Sequence, residues 1–444
     1  AAGQTPHLRK CSVTMNSPRA VTARILHRVL DGESLNKLLP HALDPAVPAD
    51  RPLCQELIYG SLRHWPYLEA LSQRFLRKPL RRKDQDVLAL ICVGLYELLH
   101  LHTPEHAVVS ETVNACKALK KPWATGLVNG VLRSFQRQDG DLTPPLSAAA
   151  EHALPEWLYE ALRREYGEHV EQIAASARHR PPMTLRVNQR RASRDQYLKT
   201  LAVRDIPAKP CTTSEDGVIL ERPLDVSQLP GFEQGEVSVQ DSSAQLTARL
   251  MNPMPGERIL DACAAPGGKA CHLLEQQPDL TELVALDVSE NRLQRVSDNS
   301  HRLGLTLKTA VADSTHLPDS ILAPPFDAIL ADVPCSATGV MRRNPDIKIL
   351  RQAEDIDRFA TQQLAILCGL WPALKPGGRL LYVTCSLLHR ENDNIVSTFC
   401  AEQGAVAEQI SLPEGVAKHH GWQVLPHPNG GDGLYFAMLR KAST

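Results

Sequence analysis

The stretch RILDACAAPGGKACHLL (258 to 274) constrains the fold more than any other part of this chain. An apolar strand candidate runs directly into a glycine turn and then into an amphipathic helix. That succession is a unit of an open α/β sheet, whose ligands bind beyond the carboxyl ends of the strands. Gly267 and Gly268 let a ligand approach the backbone, and the helix start offers unpaired amide donors suited to a carboxylate. The turn is not GxGxxG, which speaks against a dinucleotide. About twenty residues on, Asp287 ends a second strand, where an acidic side chain accepts hydrogen bonds from both hydroxyls of a ribose. Asp313 and Asp332 end the next two strand candidates. Taken singly, each aspartate reads equally well as a cap or turn residue, Asp287 as the cap of a helix beginning near Glu290. Taken with the glycine turn, the three suit a cationic, adenosine-bearing cofactor, and S-adenosylmethionine has those features.

At 444 residues the chain exceeds what one core holds, so two or three domains are expected. Residues 15–145 read as helix throughout: Val87, Leu88, Ile91, Leu95, Leu98 and Leu99 repeat at helical spacing, as do Leu127, Val128, Val131, Leu132 and Phe135. Residues 146–235 combine a helix (156 to 178), a short strand MTLRVN (183 to 188) and loops, which predicts a small α/β connector. Over 236–444, RILDA, ELVALD (282 to 287), LKTAVAD (307 to 313), FDAILAD (326 to 332) and RLLYVTCS (379 to 386) alternate with amphipathic helices. Such alternation predicts a parallel sheet covered by helices on both faces, a Rossmann-like α/β domain. The final QVLPHPNGGDGLYFAMLRK (423 to 441) predicts an antiparallel edge hairpin. Residues 139–150 read as a linker, and those before Met15 as an extension outside the fold.

No apolar run approaches the roughly twenty residues of a bilayer span, which excludes a membrane protein. Eleven cysteines occur with neither a CxxC pair nor a Cys/His cluster at zinc spacing. They predict reduced thiols in the cytoplasm and no metal site; no export signal is evident, and the chain is expected to be a monomer. Net charge is −1, but residues 15–140 hold 17 Lys or Arg against 12 Asp or Glu. One basic cluster comprises Arg74, Arg77, Lys78, Arg81, Arg82 and Lys83; a second comprises Arg178, Arg180, Arg186, Arg190, Arg191 and Arg194. Either cluster neutralises phosphates or is simply a solvated face.

Two cysteines end adjacent strand candidates, Cys335 in DVPCSATGV (332 to 340) and Cys385 in VTCS (383 to 386). Cys54, Cys92, Cys116, Cys368 and Cys400 read instead as small buried hydrophobes. A thiolate beside a methyl donor suits one problem well. Carbon 5 of a pyrimidine is not nucleophilic until a nucleophile adds to carbon 6 and makes it enamine-like. Charge then develops toward N3 of cytosine, where a protonated Asp332 carboxyl can supply a proton. After methyl transfer a base must remove the C5 proton, and Cys335 is one candidate. An enzyme methylating an exocyclic amine would carry an aromatic at the end of the tetrad Asp332, Val333, Pro334, Cys335, so carbon is favoured over nitrogen.

DACAAPGGK (261 to 269), ALD (285 to 287), DVPCSATGV, TCS and GGDGLYFAML (430 to 439), in this order, resemble the RNA cytosine-C5 methyltransferases of the NOL/NOP/Sun family. RPLCQELIYGSLRH (51 to 64), HAVVSETVNACK (106 to 117) and GLVNGVLR (126 to 133) resemble the NusB-type RNA-binding domain. The combination resembles bacterial family members that make 5-methylcytosine in small-subunit (16S) ribosomal RNA. The resemblance implies that Cys385 is the nucleophile and that Cys335 helps release the product. It carries over cofactor contacts at Cys263, Ala264, Ala265, Pro266, Gly267, Gly268, Lys269, Asp287, Asp313 and Asp332, with Lys269 and Asp332 also near the base. The chain departs from the family at Ala270, where threonine is frequent, at Val333, where alanine is frequent, and at HREN (389 to 392), where two acids precede the asparagine. Two other functions compete: methylation of tRNA, and an RNA-binding assembly factor with a vestigial cofactor site.

Overall fold

The computed structural model describes residues 17–42, 50–138 and 144–443. Cys11, the segment ahead of Met15 and part of the predicted linker (139–143) lie outside the described residues. The chain divides into two compact units, residues 1–160 with 344–350, and residues 161–343 with 351–444.

The first unit is helical. Its central helix, Gln85–His100, is buried at every position from Val87 to Glu97, which requires apolar residues all round and neighbours on every side. Pro18–Leu30, Arg51–Arg63, Trp65–Phe75, Glu105–Ala118 and Thr125–Gln136 supply those neighbours. Glu97 is the one carboxylate on that helix's buried run, and Arg19 answers it with two hydrogen bonds of 2.9 and 2.7 Å. The short segment 344–350 belongs here because Asp346 accepts from the Leu35 amide (2.9 Å) and Lys348 donates to the Arg63 and Ala153 carbonyls (2.6 and 3.1 Å). No helix among the described residues is long and apolar enough to cross a membrane.

The second unit opens with the connector. Four short strands, β1 (Met183–Val187), β2 (Ala208–Pro210), β3 (Gly217–Leu220) and β4 (Val237–Val239), form an antiparallel sheet in the order β2-β3-β1-β4. The helix expected over 156 to 178 is two helices, Glu156–Tyr166 and His169–Arg178, separated at Gly167, whose φ of +56° ends the first.

The large sheet follows. Strands β5 (Arg258–Asp261), β6 (Glu282–Asp287), β7 (Lys308–Val311), β8 (Phe326–Asp332) and β9 (Leu374–Thr384) pair in parallel in the order β7-β6-β5-β8-β9. Strands β10 (Val406–Glu408), β11 (Val416–Ala417), β12 (Trp422–Val424) and β13 (Leu434–Arg440) add antiparallel pairs. The C-terminal hairpin was expected at the edge, but β13 lies inside the sheet between β9 and β12 and is buried from Leu434 to Leu439. Its apolar run without alternation is what a strand covered on both faces needs. The chain winds from β5 to β6 and β7, then crosses back to β8 and β9. Strand order therefore reverses between β5 and β8, and the loops after β5, β8 and β9 open at the switch point where such sheets bind ligands.

Candidate active site

Backbone bonds to both flanking strands hold the loop after β5. The Ala262 amide donates to Leu330 (2.9 Å) on β8, and the Ala264 amide to Leu286 (2.8 Å) on β6. Gly267 has φ +99°, and a Cβ there would stand 3.0 Å from the Val296 Cα, so conformation and space both demand glycine. The helix Gly268–Gln276 starts immediately after it, with Lys269 in its first turn. Asp287 is buried at the end of β6 and accepts from the Ser289 amide (3.0 Å), while Arg292 approaches its other oxygen at 3.4 Å. Ser289, not Asp287, caps the helix Glu290–Leu303. Asp313 is exposed and turned onto its own loop, where the Thr315 amide and hydroxyl hold its carboxyl below the usual range.

Asp261, the last residue of β5, was not singled out by the sequence. It is 1% exposed, and neither carboxylate oxygen has a hydrogen-bond partner among the described residues. Burial, followed by the neighbouring charge of Asp332, pushes its carboxyl up to about 7, against the pull of Lys269. Nothing in the sequence distinguishes it from the other strand-end aspartates.

The loops after β8 and β9 bring the two cysteines together, with the sulfurs 3.2 Å apart. Register explains this: Asp332 pairs with Val383, so both loops leave the sheet at one level. The bond to Cys385, then burial, push the Cys335 thiol well up, and either sulfur can donate to the other. The Lys269 ammonium donates to Asp332 at 2.5 Å. Burial disfavours that ammonium, yet the charges of Asp332, Cys385 and Asp261 hold it above its usual range. Asp332 thus faces Lys269 directly, whereas the sequence reading placed it as a proton donor to the base. Behind the cysteine loops, Glu391 and Asn392 are fully buried. They lie in the HREN stretch, noticed in the sequence only as a departure. Cys54, Cys92 and Cys116 are buried, Cys368 and Cys400 half-buried.

The two basic clusters differ. Arg77, Lys78, Arg81, Arg82 and Lys83 are exposed, and all but Arg82 line a groove of about 730 Å³ in the helical unit. Trp123, 55% exposed, shares that groove with Gly126 and Gly130, beside which a Cβ would meet nothing within 4 Å. In the second cluster Arg186 is buried and bound bidentately to Glu275 (2.8 and 2.7 Å), and Arg194 donates to the Cys211 and Ser214 carbonyls. Arg186 is therefore no phosphate ligand. Far from zinc-like spacing in sequence, Asp393, His419 and His420 bring donor atoms within 4.8 Å of one another.

Residues 16–137 match the NusB family, 154–227 the RsmF/B-like ferredoxin-like domain, and 248–440 the family described as 16S rRNA methyltransferase RsmB/F. The chain is 46% identical to the ribosomal RNA small subunit methyltransferase B of Pseudomonas syringae pv. tomato, over 96% of this chain and 97% of that one. It is 43% identical to the protein of the same name from Vibrio vulnificus, over 95% and 99%. The crystal structure of PH0851 superposes with a TM-score of 0.80 at 21% identity, over 96% of this chain and 99% of that one, a likeness of fold alone. NusB-like helices, a ferredoxin-like connector and a Rossmann-like catalytic domain thus succeed one another along the chain, which belongs to the RsmB/F family of 16S rRNA methyltransferases.

Proposed function

We propose that this protein methylates carbon 5 of a cytosine in 16S ribosomal RNA, with S-adenosylmethionine as donor and Cys385 as the nucleophile at carbon 6. One observation carries the reading: two sulfurs 3.2 Å apart share a sheet edge with the Lys269–Asp332 pair and a glycine turn. The relatives' names support ribosomal RNA over tRNA as substrate.

The residues around the turn fit the donor. Asp261 is an unpartnered, buried carboxylate, complementary to a cation, and Asp287 offers a strand-end carboxylate to a ribose. Cys263 to Lys269 would hold the cofactor together with Asp287, Asp313 and Asp332. When bound, S-adenosylmethionine supplies an electrophilic methyl group on a sulfonium.

The chain's own residues do the rest. Lys269 sets a positive charge near Cys385, and the Cys335 sulfur lies 3.2 Å from it, so both are placed to hold the thiolate that attacks. That thiolate forms the S–C6 bond, and electron density moves from the C5–C6 double bond toward N3. The Lys269 ammonium, oriented by Asp332, can protonate N3. Carbon 5, now enamine-like, accepts the methyl group. Lys269 takes back the N3 proton, loss of the C5 proton to water re-forms the C5–C6 double bond, and the Cys385 thiolate leaves, hydrogen-bonded by the neighbouring Cys335 S–H. The exposed basic groove with Trp123 suits single-stranded RNA, phosphates against the cations and a base against the indole.

Methyl transfer from tritiated S-adenosylmethionine to 16S rRNA, followed by bisulfite mapping, tests the reading. It expects 5-methylcytosine at a discrete 16S position. Label confined to tRNA, label on another atom, or no label at all, as for an assembly factor with a vestigial site, would overturn it.

A further inference from the structure

Glu391 touches neither sulfur, yet it is fully buried and both carboxylate oxygens are saturated. Oε1 accepts from the Ser336 amide (2.8 Å) and the Gln363 side chain (3.1 Å). Oε2 accepts from the Ser336 hydroxyl (2.5 Å) and the Ser386 hydroxyl (2.6 Å). Ser336 follows Cys335 and Ser386 follows Cys385, so one carboxylate ties together the loops that carry the two sulfurs. The tie is itself anchored. Tyr382 donates to the Glu391 carbonyl (2.6 Å), Asn392 donates to the Ser386 carbonyl (2.9 Å), and Gln363 donates to the Pro334 carbonyl (3.0 Å).

A neutral amide could make such a tie without burying a charge, which is costly even when fully hydrogen-bonded. The charge therefore asks for a second reason, and its position supplies one. We propose that Glu391 is a positioning residue for the reaction: it locks the two loops so that the sulfurs meet, and it sets a fixed negative charge beside Cys335. The inference rests on the reading of Cys385 as nucleophile. The surroundings agree with it. The bond to Cys385, burial and then the charges of Cys385 and Glu391 push the Cys335 thiol up, and Tyr382 is the other titratable group facing it. Lys269 faces Cys385 instead, and Arg351 donates to the Ser336 carbonyl (3.2 Å).

Glu391→Gln separates charge from tie. Its amide oxygen still meets the Ser336 amide, and the two hydroxyls can turn to accept from its NH₂ group. The experiment is iodoacetamide labelling of the full-length protein across pH, with Cys335 and Cys385 peptides resolved by mass spectrometry, alongside methyl transfer to 16S rRNA. In the wild type, Cys335 labels only at raised pH. In Glu391→Gln the Cys335 curve moves down by about one pH unit, roughly tenfold more labelling at a fixed pH below its midpoint. In Glu391→Ala, kcat falls about a hundredfold while KM for RNA changes little, as for lost alignment. Labelling curves for Glu391→Gln that superimpose on the wild type overturn the charge role, and wild-type kcat in a folded Glu391→Ala overturns the positioning role. Labelling needs neither RNA nor cofactor, so a wild-type protein that labels as expected but transfers no methyl group refutes the catalytic reading separately.

Discussion

The sheet edge and the groove of the helical unit treat charge in opposite ways. At the edge, Glu391 is fully buried, the Lys269–Asp332 pair is half-buried, and each charge is met by named neighbours. In the groove, Arg77, Lys78, Arg81 and Lys83 stand in solvent around an exposed indole. The difference fits the two tasks proposed above. Groups that steer bond making act best when desolvated and fixed beforehand, because water then neither screens nor reorganises. Groups that grip a phosphate chain gain by releasing counterions, so they stay wet until the chain arrives. Variants at the edge should strike kcat, and variants in the groove should strike RNA affinity.

The largest effect is expected at the edge. Cys385→Ser should lower single-turnover methyl transfer by about 10⁴-fold or more, with far less change in RNA affinity by filter binding. A serine variant retaining a tenth of the activity would break the contrast between the regions.

Asp261 is the edge's one charge without a hydrogen-bond partner among the described residues, and its stability effect has a definite sign. Its carboxyl is raised from an ordinary 3.8 to about 7, so the folded chain holds a proton that the unfolded chain has released. Stability conferred by the protonated form is full below about pH 4 and is lost as pH rises through 7. Asp261→Asn should therefore stabilise the cofactor-free protein at pH 8, by up to about 4 kcal/mol, and give no gain near pH 4. Denaturant melts at the two pH values check this; an equal effect at both would mean that the carboxylate is compensated after all.

In the groove the expected effects are smaller. Trp123→Ala should weaken RNA binding by about 1–3 kcal/mol and raise KM for RNA far more than it lowers kcat. A fall in kcat at unchanged KM would erase the division of labour. The Arg77→Ala, Arg81→Ala pair should shift the slope of log affinity against log salt by roughly 1.4, about 0.7 for each single-strand phosphate no longer neutralised. An unchanged slope would take these two arginines out of the interface.

What the sequence reveals of these two regions has a physical boundary. The strand ends, the glycine turn and the pairing of Cys335 with Cys385 are legible because each follows from local periodicity plus the fixed winding of a parallel sheet. Glu391 is not, because its partner Ser336 lies 55 residues away and only the fold brings them together. The second basic cluster fails for the same reason: Arg186 looks like a phosphate ligand until Glu275, 89 residues on, is seen against it. Charge is visible in a sequence, but its compensation is not. Trp123 acquires meaning only from the exposed glycines of the following helix.

The central claim is that Cys385 bonds to the base and Cys335 helps to break that bond. Incubating Cys335→Ala with 16S rRNA and S-adenosylmethionine, then resolving the mixture on a denaturing gel, tests it directly. The account predicts a protein–RNA adduct that survives denaturation in Cys335→Ala and is missing in Cys385→Ser. An adduct that accumulates in Cys385→Ser instead would contradict it and reverse the roles of the two sulfurs.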